Sequence, residues 1–242
     1  MFNWFRKENT FENPLTVDMH SHLLPQLDDG VQSFEDALAI ISQLKAFGYK
    51  KIITTPHIIA DTYKNSPDTI LPRLAELNAY LQRENADIKI EAAAEYYLDE
   101  ALMQKVTAHE QLLTFGKKYL LFETNFLNEP MFLKEFIFSA TTQGYRLILA
   151  HPERYIFLQH DIKKAQDLLD RGVLFQVNLI SLTGYYSREA KKLAERLIAN
   201  GHVHFLGTDC HTLQQTSLIR KSFRSNYFKK ALSLPLLNNT LL

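Results

Sequence analysis

Short apolar runs alternate with stretches of helical spacing along almost the whole chain. Residues 15–19, 51–55, 88–94, 119–122, 146–150, 174–178 and 203–206 read as seven strands. The intervening segments read as helices. Ser33 opens the first as an N-cap, with Asp36 three places on, close to a capping box. Leu38, Ile41 and Leu44 form its expected core face, and Gly48 ends it. Further helices are expected near 68–84, 98–109, 130–143, 161–171 and 187–200. Gly144, Gly172 and Gly201 stand where a helix should stop before the next strand. Strand then helix, repeated seven times, implies parallel strands joined by crossover helices. A (β/α)7 barrel is the natural closure, and an open doubly wound sheet is the alternative. After the last strand, one helix is expected near 213–231. The tail around Pro235 is then free to fray or to meet a partner.

At 242 residues the chain suits a single domain spanning 1–242. Residues 1–14 form an N-terminal arm expected to dock Phe2, Trp4 and Phe5, and 213–242 form the C-terminal helix and tail. Hydrophobic residues make up 46%, enough for a full core. Lys+Arg and Asp+Glu balance at 27 each, which removes the electrostatic footprint of a nucleic-acid binder. No apolar run reaches the roughly 18 to 20 residues that span a bilayer. The N-terminus lacks the apolar region of a signal peptide. A cytoplasmic location without membrane insertion is the expectation, and the lone Cys210 fits a reducing compartment.

Metal-ligand side chains collect at the predicted strand ends. His20 and His22 follow the first strand, two apart and so on one face, with Asp18 behind them as an expected partner and Asp29 shortly after. His57 follows the second strand, Glu95 the third, Glu123 the fourth and His151 the fifth. Asp209 and His211 follow the seventh. Any one of these is ordinary alone. Six of seven strands ending this way describe a cup at the face where barrel enzymes keep their functional groups. Nine such ligands exceed the needs of one ion and suggest two or three divalent metals. Six positive charges against four carboxylates and a hydroxide leave a cup that suits a phosphate dianion. Metals there would activate a water and polarise phosphoryl oxygens. Arg154, just past the fifth strand, is the candidate phosphate fork, with a salt bridge to Glu153 as its bland alternative. His109, His160, His202 and His204 lack this placement and read as surface or packing residues.

These residues resemble the polymerase-and-histidinol-phosphatase (PHP) superfamily of metal-dependent phosphoesterases. Within it, Asp18-Met19-His20-Ser21-His22-Leu23-Leu24-Pro25 and Asp28-Asp29-Gly30 are similar to the manganese-dependent protein-tyrosine phosphatases of bacterial capsule and exopolysaccharide loci. Thr54-Thr55-Pro56-His57, Ala94-Glu95-Tyr96-Tyr97, Leu149 to Tyr155 and Thr208-Asp209-Cys210-His211 continue the match in order, over about residues 15–212. The resemblance implies a distorted (β/α)7 barrel with three metals, Mn2+ first and iron or zinc as alternatives. His20, His22, Glu95 and Asp209 would hold one. Glu95 would bridge to a second, with Glu123 and His151. Asp29, His57 and His211 would hold the third, and Arg154 would bind phosphate. The implied substrate is a phosphotyrosine protein, the tyrosine-rich tail of a membrane-associated autokinase. Relatives often carry Ser-Asp-Ala-His-Asn at the last strand and an arginine soon after. Here Cys210 and Thr212 replace the Ala and Asn, and the next basic residues are Arg220 and Lys221.

A small-molecule PHP phosphatase, such as one for histidinol phosphate, is the nearest competing activity. A catalytically dead barrel used for binding is a further one, and a nuclease lacks a basic track. Cys210 is not expected to act as a nucleophile. The arginine of a cysteine phosphatase loop, six residues on, is absent, because Thr216 stands there.

Overall fold

The computed structural model describes residues 13–242, so the expected docking of Phe2, Trp4 and Phe5 lies outside the described residues. The strands are β1 (Val17–Asp18), β2 (Lys51–Thr54), β3 (His57–Ile58), β4 (Lys89–Ala92), β5 (Glu95–Tyr97), β6 (Tyr119–Glu123), β7 (Arg146–Ala150), β8 (Leu174–Asn178) and β9 (Phe205–Gly207). All pairings are parallel, in the orders β1-β2-β4 and β3-β5-β6-β7-β8-β9. Two of the expected strands, 51–55 and 88–94, are each followed after a short break by a further strand that the sequence did not announce. Pro56 has no N–H to give to a ladder, and it separates β2 from β3. Ala93 and Ala94 separate β4 from β5. Pairing nevertheless runs across both breaks, through Ala93 N to Thr54 O at 2.9 Å and Glu95 N to Pro56 O at 3.1 Å. The two sheets are therefore one curved wall.

The wall closes on itself where β1 meets β9. Beyond their ends Ser21 and Cys210 form a parallel bridge, with His22 N to Cys210 O at 3.0 Å and Asp209 N to His20 O at 2.8 Å. Lower down, side chains take over from backbone. The Asp18 carboxylate accepts from Thr208 N at 3.0 Å and Thr208 Oγ1 at 2.6 Å. At the bottom the buried Asn238 accepts from Leu206 N at 3.0 Å and donates to Leu206 O at 2.7 Å and Val17 O at 3.1 Å. Asp18 is thus a seam residue that touches His20 through backbone and charge, while the imidazole rings take Gln176 and Asp28 as their partners instead. Burial pushes its carboxyl up to about 6, and the Thr208 contacts offset only part of that.

Helices cover the outside: α1 (Phe34–Ala46), α2 (Pro67–Arg83), α3 (Glu100–Thr107), α4 (Leu133–Thr142), α5 (Ile156–His160), α6 (Ile162–Asp170), α7 (Arg188–Ala199), α8 (Leu213–Ser222) and α9 (Asn226–Ala231). Ser33 caps α1 as expected, accepting from Asp36 N. The buried face of α1 is Ala37, Ile40, Ile41 and Leu44, whereas Leu38 is only partly buried. The single helix expected over 213–231 is two, because the chain breaks after Ser222 and Ser225 caps a new start at α9. Strand alternation divides the core. Leu120, Phe122, Leu147 and Leu149 face the helices. Val17, Met19, Leu121 and Ile148 fill the barrel with Phe205 and Leu241. The tail does not fray. A 3-10 turn at Asn238–Leu241 plugs the bottom of the barrel, where the buried Lys51 donates to Leu241 O at 2.6 Å. Among the described residues no helix is long and apolar enough to cross a membrane.

Replacing Asn238 by Ala would leave two carbonyls and one N–H of the seam without a partner. At about 1–3 kcal/mol for a buried unpaired group, shared over a site that water can partly repair, stability should fall by about 2–4 kcal/mol. Urea unfolding measures this, and an unchanged midpoint would show that the seam holds without Asn238.

Candidate metal centre

Closing the seam brings the end of β1 against the end of β9. His20 Nδ1 donates to Gln176 Oε1 at 2.8 Å, and His22 Nδ1 donates to Asp28 Oδ2 at 2.7 Å. Each imidazole then turns its Nε2 lone pair inward. Those two atoms lie 3.3 Å apart. They approach Glu95 Oε2 at 3.1 and 3.4 Å, and Asp209 Oδ1 at 3.4 Å each. Four buried donors thus surround one point. Asp209 is held from behind. Its Oδ2 accepts from Asn178 Nδ2 at 2.6 Å, Tyr186 OH at 3.1 Å and Arg154 Nη1 at 3.3 Å, which leaves Oδ1 to the histidines.

Two further groups adjoin the first. His57, Glu95 and Glu123 form one, and His22, Asp29, His57 and His211 the other. His211 Nδ1 donates to the Asp209 carbonyl at 2.9 Å, and its Nε2 stands 3.5 Å from Asp29 Oδ1. Asp29 is the open side of the cup, with 56% of its side chain exposed. His57 spans both groups, with Nε2 at 3.6 Å from Asp29 and Nδ1 near Glu95 (3.2 Å) and Glu123 (3.1 Å). His151, placed by resemblance with Glu95 and Glu123, meets them from the other side, its Nε2 at 3.0 Å and 3.8 Å. All nine expected ligand residues therefore converge. The difference in detail is that His57 rather than His151 completes the compact group with Glu95 and Glu123, while His151 meets that group through Glu95.

The donor set fits divalent cations. The buried His57 Nδ1 lies beside two carboxylate oxygens, yet neither sits where a hydrogen bond to it can form. Such an atom suits a ligand bond. Electrostatics agree. Burial favours the neutral form of Glu95, but His20 and His57 outweigh it and hold the carboxyl well below the usual carboxylate range. Burial likewise opposes Asp209, and His20 and His22 hold it well below its usual value. Against its own desolvation, His20 is pushed up to about 9 by Glu95 and Asp209. His151 goes the other way, lowered by burial and then by Arg154. Carboxylates that attract protons to imidazoles this strongly also favour metal cations.

Backbone geometry aims the ligands. His151 and Asp209 both have left-handed backbone, φ 36° and 49°, at the sharp exits of β7 and β9. Two glycines allow close approach. A Cβ on Gly30 would meet His22 O at 2.3 Å, and one on Gly207 would meet Gln176 Nε2 at 2.6 Å and His20 Cβ at 2.9 Å.

Arg154 reaches the rim of the cup. Its guanidinium lies 4.5 Å from the Phe126 ring centroid and 4.3 Å from that of Tyr186. Glu153 is not its partner. That carboxylate turns inward to accept from Ser181 Oγ at 2.6 Å and Asn178 N at 3.0 Å, and burial pushes it up to about 7. Arg220 and Lys221 are exposed in the last turn of α8. At ~1.5 Å rise per residue, Arg220 is roughly 10 Å along the helix from its start beside the cup. Cys210 is buried, with its thiol pushed up by desolvation, and packs as expected. The orienting roles not read in the sequence are those of Asp28, Gln176, Asn178 and Tyr186, which hold His22, His20 and Asp209. Gln176 and Asn178, two apart in an otherwise apolar strand, were the available signal.

The family model described as "Capsular polysaccharide synthesis, CpsB/CapC" matches residues 16–230. The chain belongs to the CpsB/CapC family. It is similar to the tyrosine-protein phosphatase YwqE of Bacillus subtilis, 26% identical over 198 residues, covering 82% of this chain and 78% of YwqE. A putative tyrosine-protein phosphatase, CapC of Staphylococcus aureus, is 25% identical over 215 residues, covering 89% and 84%. Among solved structures, one from a study of YwqE of Bacillus subtilis and CpsB of Streptococcus pneumoniae, described as unique metal-dependent tyrosine phosphatases, superposes with TM-score 0.76. It is 26% identical and covers 90% of this chain and 94% of its own. The histidinol phosphate phosphatase of Lactococcus lactis shares the fold, at TM-score 0.51 and 14% identity.

Gly207→Ala should push the Gln176 amide off His20 Nδ1 and lower stability by about 1–3 kcal/mol, the usual penalty of overpacking. Urea unfolding, together with loss of the protected His20 Nδ1 proton in NMR spectra, tests this. A wild-type midpoint and an unchanged proton signal would remove the close-approach argument.

Proposed function

We propose that this member of the CpsB/CapC family is a metal-dependent phosphatase acting on phosphotyrosine in protein. The observation that carries the reading is the convergence of eight imidazoles and carboxylates in three adjoining groups, with His151 against Glu95 and Arg154 beside them, on a chain whose relatives are tyrosine-protein phosphatases. His20, His22, Glu95 and Asp209 would hold one ion. Glu95 would share a second with Glu123 and His151, and Asp29, His57 and His211 would hold a third. His57 is near enough to serve either of the last two. Mn2+ is the metal we assign from the resemblance to manganese-dependent phosphatases; a mixed imidazole and carboxylate set admits it, as it admits iron and zinc. When bound, such ions supply Lewis acidity and an activated water for phosphate monoester hydrolysis.

The protein's own groups set orientation. Gln176, Asp28 and the Asp209 carbonyl fix three imidazole tautomers. Asn178 and Tyr186 fix the Asp209 carboxylate. The Phe126 and Tyr186 rings fix the Arg154 fork, whose remaining N–H groups would grip the phosphate. A capsule or exopolysaccharide tyrosine kinase is the substrate protein we assign, in the cytoplasm.

Metal-stripped protein should hydrolyse no phosphate ester, and added Mn2+ should restore activity on phosphotyrosine peptides above phosphoserine peptides and histidinol phosphate. Full activity without metal would remove the metal mechanism. A preference for histidinol phosphate would make the enzyme a small-molecule phosphatase instead.

Arg154→Ala should reduce kcat/KM on phosphotyrosine by roughly ten- to hundredfold, the worth of a charge-assisted contact of about 1.5–3 kcal/mol, while metal content stays at the wild-type level. Joint loss of metal and activity would show instead that Arg154 serves to hold Asp209.

A further inference from the structure

Large apolar side chains exposed to solvent are unevenly distributed on this protein. Eight are exposed among the described residues. Five of them, Leu127, Met131, Ile156, Tyr185 and Leu213, follow the C-terminal ends of β6, β7, β8 and β9, the face that carries the cup. Single exposed hydrophobics need no explanation, but a group around a functional mouth does. Three of the five adjoin the two rings that sandwich Arg154, and Met131 follows Leu127 in the same connection after β6. Leu127 is next in the chain to Phe126, whose ring covers one side of the guanidinium. Ile156 N donates to Phe126 O at 2.8 Å. Tyr185 packs edge-on against Tyr186, which covers the other side, with ring centroids 5.2 Å apart.

The loop that presents two of them is braced. Asn125 Oδ1 accepts from Leu127 N at 2.8 Å and Asn128 N at 3.1 Å, and Glu129 pairs with Lys164 of α6 at 2.7 Å. Within that brace Leu127 is 60% exposed and Met131 fully so. These contacts fix the backbone that carries Leu127, with its side chain in water. The protein therefore holds apolar surface in water, beside the group assigned to phosphate.

We propose that Leu127, Met131, Ile156 and Tyr185 form a collar that binds the polypeptide on either side of a phosphotyrosine, through a large apolar side chain within two residues of it. This rests on the phosphatase reading above. Arg154 fixes where the phosphate sits, so the rest of the ester faces the collar. A small phosphorylated metabolite ends there, whereas a polypeptide continues across it and can bury apolar side chains against Leu127 and Met131. The collar, rather than the cup, then distinguishes protein substrates from free phosphate esters.

The test uses the metal-loaded full chain and three substrates: p-nitrophenyl phosphate and two phosphotyrosine peptides of equal charge, one with leucines and one with serines flanking the phosphotyrosine. The leucine peptide should have about tenfold higher kcat/KM, the worth of burying most of one aliphatic side chain. The double variant Leu127→Ser, Met131→Ser should erase that preference and leave p-nitrophenyl phosphate turnover unchanged, which also shows that the variant is folded. Equal rates on the two peptides, or a preference that survives in the variant, overturns the collar. So does a wild-type dimer that the variant converts to monomer by light scattering while peptide preference persists, since the surface would then join copies of this chain. Absence of hydrolysis of all three substrates by the wild type overturns the phosphatase reading itself.

Discussion

The contact between β1 and β9 is the constraint on which the remainder of the structure depends. Two short strands meet there with little backbone pairing, and three polar devices join them at different heights: Asn238 below, Asp18 with Thr208 in the middle, and the Ser21–Cys210 bridge above. The top of that seam is also the floor of the cup. His20 and His22 leave β1 as Asp209 and His211 leave β9, so a shift between the strands would separate the four donors that face one another at 3.1–3.4 Å. Fold closure and ligand placement are the same event.

The cup balances opposed costs. Carboxylates and imidazoles are expensive to bury singly, and here His20, His22, His151, Glu95, Glu123 and Asp209 are buried against groups of the other kind. An outer layer of Asp28, Gln176, Asn178 and Tyr186 takes up the atoms that do not face inward. The orientation of His20, His22 and Asp209 is therefore set before any ion or substrate arrives, which reduces reorganisation on binding.

Much of this was legible in the sequence, and the reasons differ by residue. His20, His22, Glu95, Glu123, His151 and Asp209 were readable because apolar strands announce their own ends, and a titratable residue there has few structural uses. Gln176 and Asn178 were less conspicuous because amides are common, although their alternation in β8 carried the information. Asp18 was read only in part. Its position beside the histidines suggested a shared site, whereas its partner Thr208 is 190 positions away and invisible to local pattern. The tail around Pro235 was expected to fray or to meet a partner for the same reason, since the plug it forms depends on distant strands. The breaks at Pro56 and after Ser222 are local features that periodicity smooths over.

The seam has a consequence for how the protein is made. Asn238 donates to Val17 across 221 positions of chain, so barrel closure is among the most non-local steps this sequence can take. On the ribosome, β1 emerges early and must wait with an unpaired edge while the six other staves are synthesised. The first and last strands cannot be joined at the bottom until Asn238 has cleared the exit tunnel. Slow translation of the stretch before it prolongs exposure of that edge, and with it the opportunity for pairing with another nascent chain.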